Sequence, residues 1–273
     1  MNQSYWAAIE ADIGTYLKKS IPIRPPETVF EPMHHLTFAA PTTAASALCV
    51  AACELTGGDR SQALVAASAI HLVHAAAYAH EHLPLTDRPR PESKPEIHHK
   101  YSPNIELLTP DGMVPFGFEL LARSMDPARD GDPDRILRVI IEISRAGGSE
   151  GMIDGLYREE EIADLNYPRP DFIEYVCKKK YGELHACGAA CGAILAGAAE
   201  EEVEKLRNFG RYAGTLIGIM GNKYNVPEIG NIISKLREFA MEELEKGFHG
   251  KNIELISSLV AEPSQVAESL SAA

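Results

Sequence analysis

The chain is 273 residues long, 45% hydrophobic, 24% charged and 7% aromatic, with 26 Lys+Arg against 39 Asp+Glu and a formal net charge of −13. The apolar content excludes a disordered chain. The acidic balance argues against a nucleic-acid or anionic-membrane surface, because phosphate binding is dominated by Lys and Arg. Helices are expected in chain order over residues 5–18, 44–55, 61–82, 116–123, 134–146, 149–165, 171–197, 200–223, 227–246 and 253–260. The two strongest stretches are the Ala- and Leu-rich intervals free of proline, between Pro41 and Pro84 and between Pro170 and Pro227. Gly57-Gly58 stops one helix and Asp59 offers the N-cap of the next. Asp132-Pro133 is a cap followed by a first-turn proline. No sustained two-residue alternation competes, so the expected fold class is all-α, a bundle of about ten helices.

No repeat of 20–50 residues is present. Seven prolines fall from Pro84 to Pro115 inclusive, so residues 83–111 read as one long, mostly irregular loop. No boundary of similar strength divides the rest, and residues 1–273 are expected to form a single domain. No run approaches the roughly 18 uninterrupted apolar residues of a membrane span. The N-terminus, Met1-Asn2-Gln3-Ser4-Tyr5-Trp6, has neither a signal-peptide nor a transit-peptide pattern.

Five cysteines in a chain this long do not make a disulfide scaffold. Four of them form two C-x-x-x-C pairs, Cys49/Cys53 and Cys187/Cys191, each one turn apart on a helix face. They are compatible with a four-thiolate metal site, with strained disulfides within each helix, or with small-residue faces that pack closely in the core or at a subunit boundary. Cys177 reads as an isolated buried thiol. His71, His74, His80 and His82 follow one helix, with His98 and His99 beyond it. They are either hydrogen-bonded, partly buried imidazoles or, if three or four converge, a metal cluster. The acidic runs 159–161 and 200–202 with Glu204 read as solvated helix faces.

From His71 to Lys100 the chain resembles the first aspartate-rich region of the trans-prenyl diphosphate synthases, H-D-D-L-P-x-x-D-x-D-D-L-R-R-G-K-P-T-x-H-K. His80, Leu83, Pro84, Asp87, His99 and Lys100 match, while Glu81 and His82 stand at the two leading Asp positions. Leu48–Asp59 resembles the family's stretch ending A-A-C-E-L-x-G-G-D, and Glu150-Gly151-Met152-Ile153-Asp154-Gly155 resembles E-G-L-x-x-G. Lys180 falls on the Lys of the family's K-T pair. The resemblance implies the isoprenoid synthase fold. Its members couple an allylic diphosphate to isopentenyl diphosphate on Mg²⁺ held by two aspartate-rich motifs.

The departures change the expected activity. The second motif, D-D-x-x-D in the family, reads Gly221-Asn222-Lys223-Tyr224-Asn225 here and holds no carboxylate. The G-G-K-x-x-R-P stretch is replaced by Ala40–Ser46, and the arginine pair after the first motif by Glu92-Ser93. Losing even one preorganised charge stabiliser costs roughly 10²–10³ in rate. The chain is therefore expected to have no catalytic residues of its own. Two C-x-x-x-C motifs on such a degenerate chain resemble the small subunits of plant heteromeric geranyl diphosphate synthases. That resemblance implies a regulatory partner of a catalytic large subunit, in a heterodimer or heterotetramer, biasing it toward the ten-carbon diphosphate. It implies a plastid location for a mature chain, Mg²⁺ in the partner and no metal or cofactor in this chain. It also implies subunit interaction at Cys49, Cys53, Cys187 and Cys191. His99, Lys180, Glu81 and Asp87 become vestigial substrate-side positions, and Gly221, Asn222 and Asn225 a degenerate motif. Two alternatives stand beside it: a stand-alone enzyme with a rebuilt site of Glu81, His82, Asp87 and His99, and a structural protein holding zinc on the paired cysteines.

Overall fold

The computed structural model describes residues 2–83, 99–125, 132–163, 165, 168–222 and 226–272. Among these residues the chain is all-α, with no strand. The helices are α1 (Asn2–Ser20), α2 (Glu27–Ala39), α3 (Ala44–Leu55), α4 (Arg60–Glu81), α5 (Pro103–Arg123), α6 (Pro133–Gly147), α7 (Met152–Ala163), α8 (Pro170–Cys177), α9 (Glu183–Ala196), α10 (Glu200–Gly221), α11 (Ile229–Gly247), α12 (Glu254–Ala261) and α13 (Pro263–Ser271). A π turn over Lys178–Gly182 joins α8 to α9 without a break.

Two helices sit at the centre. Every residue of α3 from Ala45 to Cys53 is buried, as is every residue of α9 from Leu184 to Leu195. A helix apolar on all sides must be enclosed on all sides. α4, α6 and α10 do the enclosing, and α11 packs on α10. The sequence caps form as expected: Asp59 and Gln62 make a reciprocal box at the start of α4, with the Asp59 N–H donating to Gln62 Oε1 at 2.9 Å. Asp132 accepts from Asp134 N at 3.0 Å and Arg135 N at 3.3 Å at the start of α6. Gly197, with φ of 77°, ends α9 in the left-handed conformation that glycine adopts without strain. At the outer layer, Trp6 Nε1 of α1 donates to Ser258 Oγ of α12 at 3.0 Å, and α13 covers the same helix.

Three elements depart from the sequence expectation. The loop expected over 83–111 ends earlier, because α5 starts at Pro103 and absorbs the short helix expected over 116–123. Pro103 occupies its first turn, where no N–H is missed. The interior Pro110 and Pro115 each cost roughly 3 kcal/mol. Burial of Met113, Leu120 and Leu121, with α5 packed on α4, offsets that cost. α2 was hidden by Pro32 and by its Thr, Val and Phe, yet it buries Met33, Leu36 and Thr37. α13 opens on Pro263 and buries Val266 and Leu270. Residues 84–98 lie outside the described residues. Among the described residues one helix, α4, is long and apolar enough to cross a membrane by length and composition, but two thirds of that stretch is buried inside the fold.

Candidate functional site

The π turn inserts one extra residue into the rod from α8 to α9, and it carries Lys180 and Tyr181. Such insertions re-aim side chains that a regular helix would place elsewhere. Lys180 points to the interior and is 9% exposed. Its Nζ donates to Glu81 Oε1 at the end of α4, 2.9 Å away, and to Glu159 Oε2 of α7, 2.7 Å away. Gly155, one turn before Glu159, lets α7 approach closely: a Cβ there would meet Lys180 Cα at 2.8 Å. Burial opposes the Lys180 charge, but Tyr181, Glu81 and Glu159 outweigh it and hold the ammonium well above the usual lysine range. The Tyr181 ring lies 5.3 Å from Nζ, and its hydroxyl accepts from Asn222 Nδ2 at 3.3 Å. By sequence, Glu159 belongs to an acidic run expected to be solvated. The structure makes it one wall of a nearly closed ion cluster, and the G-x-x-x-E spacing from Gly155 was the signal available for it.

The other candidate residues go to separate places. Glu106, buried at 2% exposure, accepts from His99 Nδ1 at 2.6 Å and from the N–H groups of Lys100 and Tyr101 at 3.1 and 3.2 Å. His99 therefore anchors the start of α5. Glu106 is a second residue that the sequence did not single out. His82 Nδ1 donates to the Tyr78 carbonyl at 2.8 Å, and the two rings stack 4.1 Å apart. His71, His74 and His80 bond the carbonyls of Thr37, Pro41 and Leu107, fastening α4 to its neighbours. Asn222 caps α10 through the Gly218 carbonyl at 2.8 Å, with Gly221 beside it. Asp87, His98 and Asn225 lie outside the described residues. Glu81, His82 and His99 thus face different partners. Among the described residues, no three His, Cys, Asp or Glu side chains are grouped to hold a metal ion.

Cys49 of α3 lies near Cys187 and Cys191 of α9, while Cys53 Sγ turns to the Asp59 carbonyl at 3.5 Å. Cys49, Cys53, Cys187 and Cys191 are all free thiols and all 2% exposed or less. Glycines set the approach: a Cβ on Gly188 would strike the Ala45 carbonyl oxygen, and one on Gly192 the Cys49 carbonyl oxygen. Cys187 and Cys191 Sγ lie 3.7 Å apart, a thiol contact rather than a disulfide. Burial pushes the Cys49 and Cys191 thiols well up and raises Cys53 to about 12. Of the three readings of these motifs, close packing is the one the geometry supports. Cys177 is buried too.

No protein-family model matches the chain. Its all-α arrangement is the isoprenoid synthase fold of the solved prenyl diphosphate synthases that superpose on it. The chain is 50% identical over 267 residues to a Cannabis sativa heterodimeric geranylgeranyl pyrophosphate synthase small subunit, chloroplastic, covering 96% of this chain and 92% of that one. It superposes with a TM-score of 0.85 and 73% identity on a chain of a mint heterotetrameric geranyl pyrophosphate synthase, covering 94% of this chain and 99% of that one. For the geranyl diphosphate synthase small subunit of Antirrhinum majus the values are 0.86, 60%, 96% and 99%. The chain belongs to the family of heteromeric geranyl and geranylgeranyl diphosphate synthase small subunits.

The fold family implies Mg²⁺. The residues described here do not fit it as they stand, because the carboxylate nearest the first motif, Glu81, is taken by the Lys180 ammonium and Asn222 offers no charge at the second.

Proposed function

We propose that this chain is a catalytically silent regulatory subunit in plastids, binding a catalytic large subunit and biasing it toward geranyl diphosphate. One observation carries the reading: Lys180, the substrate-side lysine, is buried between Glu81 and Glu159 and presents no free charge to a diphosphate. Support for the ten-carbon product comes from the identities of 73% and 60% to chains whose names say geranyl, against 50% to one whose name says geranylgeranyl. The chloroplastic name of that relative supports the location. Mg²⁺ then belongs to the large subunit.

The buried cysteines act on assembly indirectly in this reading. They keep α3 and α9 close, and so set the surface that the flanking helices present. The reading is tested by mixing the purified chain with a catalytic large subunit, isopentenyl and dimethylallyl diphosphates and Mg²⁺. Co-purification, a native mass of a heterodimer or heterotetramer, and a shift of product toward ten carbons are expected. Turnover by this chain alone, or an unchanged product spectrum in the mixture, would overturn it.

A further inference from the structure

We infer that Lys180 is a built-in substitute for a divalent cation: its ammonium holds together two interior carboxylates, Glu81 and Glu159, that would otherwise bind a hard ion such as Mg²⁺ or Mn²⁺. The geometry points there directly. The two carboxylate oxygens already converge on a single point, the Nζ, from 2.9 and 2.7 Å. Moving each inward by less than about 1 Å would reach the ~2.1 Å bond of Mg²⁺, an ion that commonly binds through one or two carboxylates and keeps water on its other positions. Both side chains are mostly covered, at 15% and 16% exposure, so the pair is held by α4 and α7 rather than by flexible surface. Two negative charges facing one another in such a place require a positive partner.

The protein supplies that partner itself, and two features make it permanent. The π turn aims Lys180 inward, and the missing Cβ of Gly155 lets its backbone sit against α7. Tyr181, beside the ammonium, adds the electron-rich face of its ring. A cation could enter only by displacing a buried ammonium. The pair is therefore closed to metal, and with it to any anion that a metal would carry. This rests on the reading of the interior as closed to substrate, and it names the ion that is excluded.

The test uses the full chain, purified alone, with Mn²⁺ as the probe. Wild type is expected to melt at the same temperature with and without millimolar Mn²⁺. Lys180→Met is expected to bind one Mn²⁺ per chain, seen by electron paramagnetic resonance, at least about tenfold more tightly than wild type, and to melt higher when Mn²⁺ is present. Adding Glu81→Gln to Lys180→Met should remove that gain. Equal Mn²⁺ binding by wild type and Lys180→Met overturns the inference, as does a gain that survives Glu81→Gln. If Lys180→Met does not accumulate as folded chain, its recovery on refolding should depend on Mn²⁺, and a recovery indifferent to Mn²⁺ overturns the inference equally. Turnover of prenyl diphosphates by the wild-type chain alone would instead overturn the functional reading and leave the Mn²⁺ result standing.

Discussion

The rod from α8 to α9 carries two regions that the sequence marked for chemistry, and the structure shuts them by opposite means. At the π turn, charge meets charge: Lys180 is neutralised by Glu81 and Glu159 across two other helices. A few residues on, at the α3–α9 seam, the contact is between small and apolar residues, with Gly188 and Gly192 set against the backbone of Ala45 and Cys49. The first is closed electrostatically and the second sterically. A residue type with chemical capability therefore says little until its surroundings are known. A lysine with two carboxylates cannot grip an anion, and a buried thiol of raised pKa is neither nucleophile nor ligand.

The comparison can be broken most severely at the seam. Gly192→Val places a side chain against the Cys49 carbonyl oxygen and near the Cys53 N–H, neither of which can move away without opening the helix. A loss of roughly 3 kcal/mol or more is expected in denaturant unfolding, with little folded chain recovered. The ion cluster should respond differently, because its cost lies in imbalance rather than in bulk. Lys180→Met leaves two mostly buried carboxylates without their cation and should cost about 3 kcal/mol by the same measurement. Lys180→Met combined with Glu81→Gln and Glu159→Gln should recover most of it. A combined variant no more stable than Lys180→Met would show that the cluster acts through shape.

A pH series sharpens the electrostatic side. Glu10 on α1 is buried with Oε2 unpaired, and burial raises it to about 7 from 4.5. The folded chain holds that proton more tightly than the unfolded one, so its stabilising effect is complete below about pH 4.5 and gone above about pH 7. His185, packed on Gly214, is lowered by burial to about 4 from 6.5. Its contribution is present above pH 6.5 and lost as the pH falls through 4. The two slopes oppose each other in one window. Glu10→Gln should therefore make the loss of stability from pH 7 to pH 4 steeper than in wild type, by up to about 3 kcal/mol. The smallest effect is expected for Cys187→Ala, about 1 kcal/mol, because only one sulfur is removed from the seam. The thiols of native wild type should resist alkylation near pH 8 and react once the chain is unfolded.

Much of the helical layout was legible from residue order. The proline-free intervals became α3, α4, α9 and α10, and Asp59 and Asp132 capped where expected. α2 and the first half of α5 were not legible, because local propensity counts Pro32, Pro110 and Pro115 against a helix and cannot see the apolar faces they bury. The candidate site was half legible. Lys180 and Glu81 were named from their motif positions. Glu159 was hidden because a carboxylate in a charged run looks solvated until a second helix is laid over it, and Glu106 because its partners come from the irregular segment at 99–101.

By itself the sequence determined the all-α class, the central apolar helices and the loss of carboxylates at the second motif, since these depend on periodicity and on which residues are present. Only the tertiary structure decided where the remaining charges go. Glu81, Glu159 and Lys180 lie on three separate elements and meet only when the π turn swings Lys180 inward and Gly155 lets α7 come close. Whether a net charge of −13 includes an open site is settled by that long-range convergence. Coulomb interaction depends on distance in space, which the order of residues along the chain does not contain.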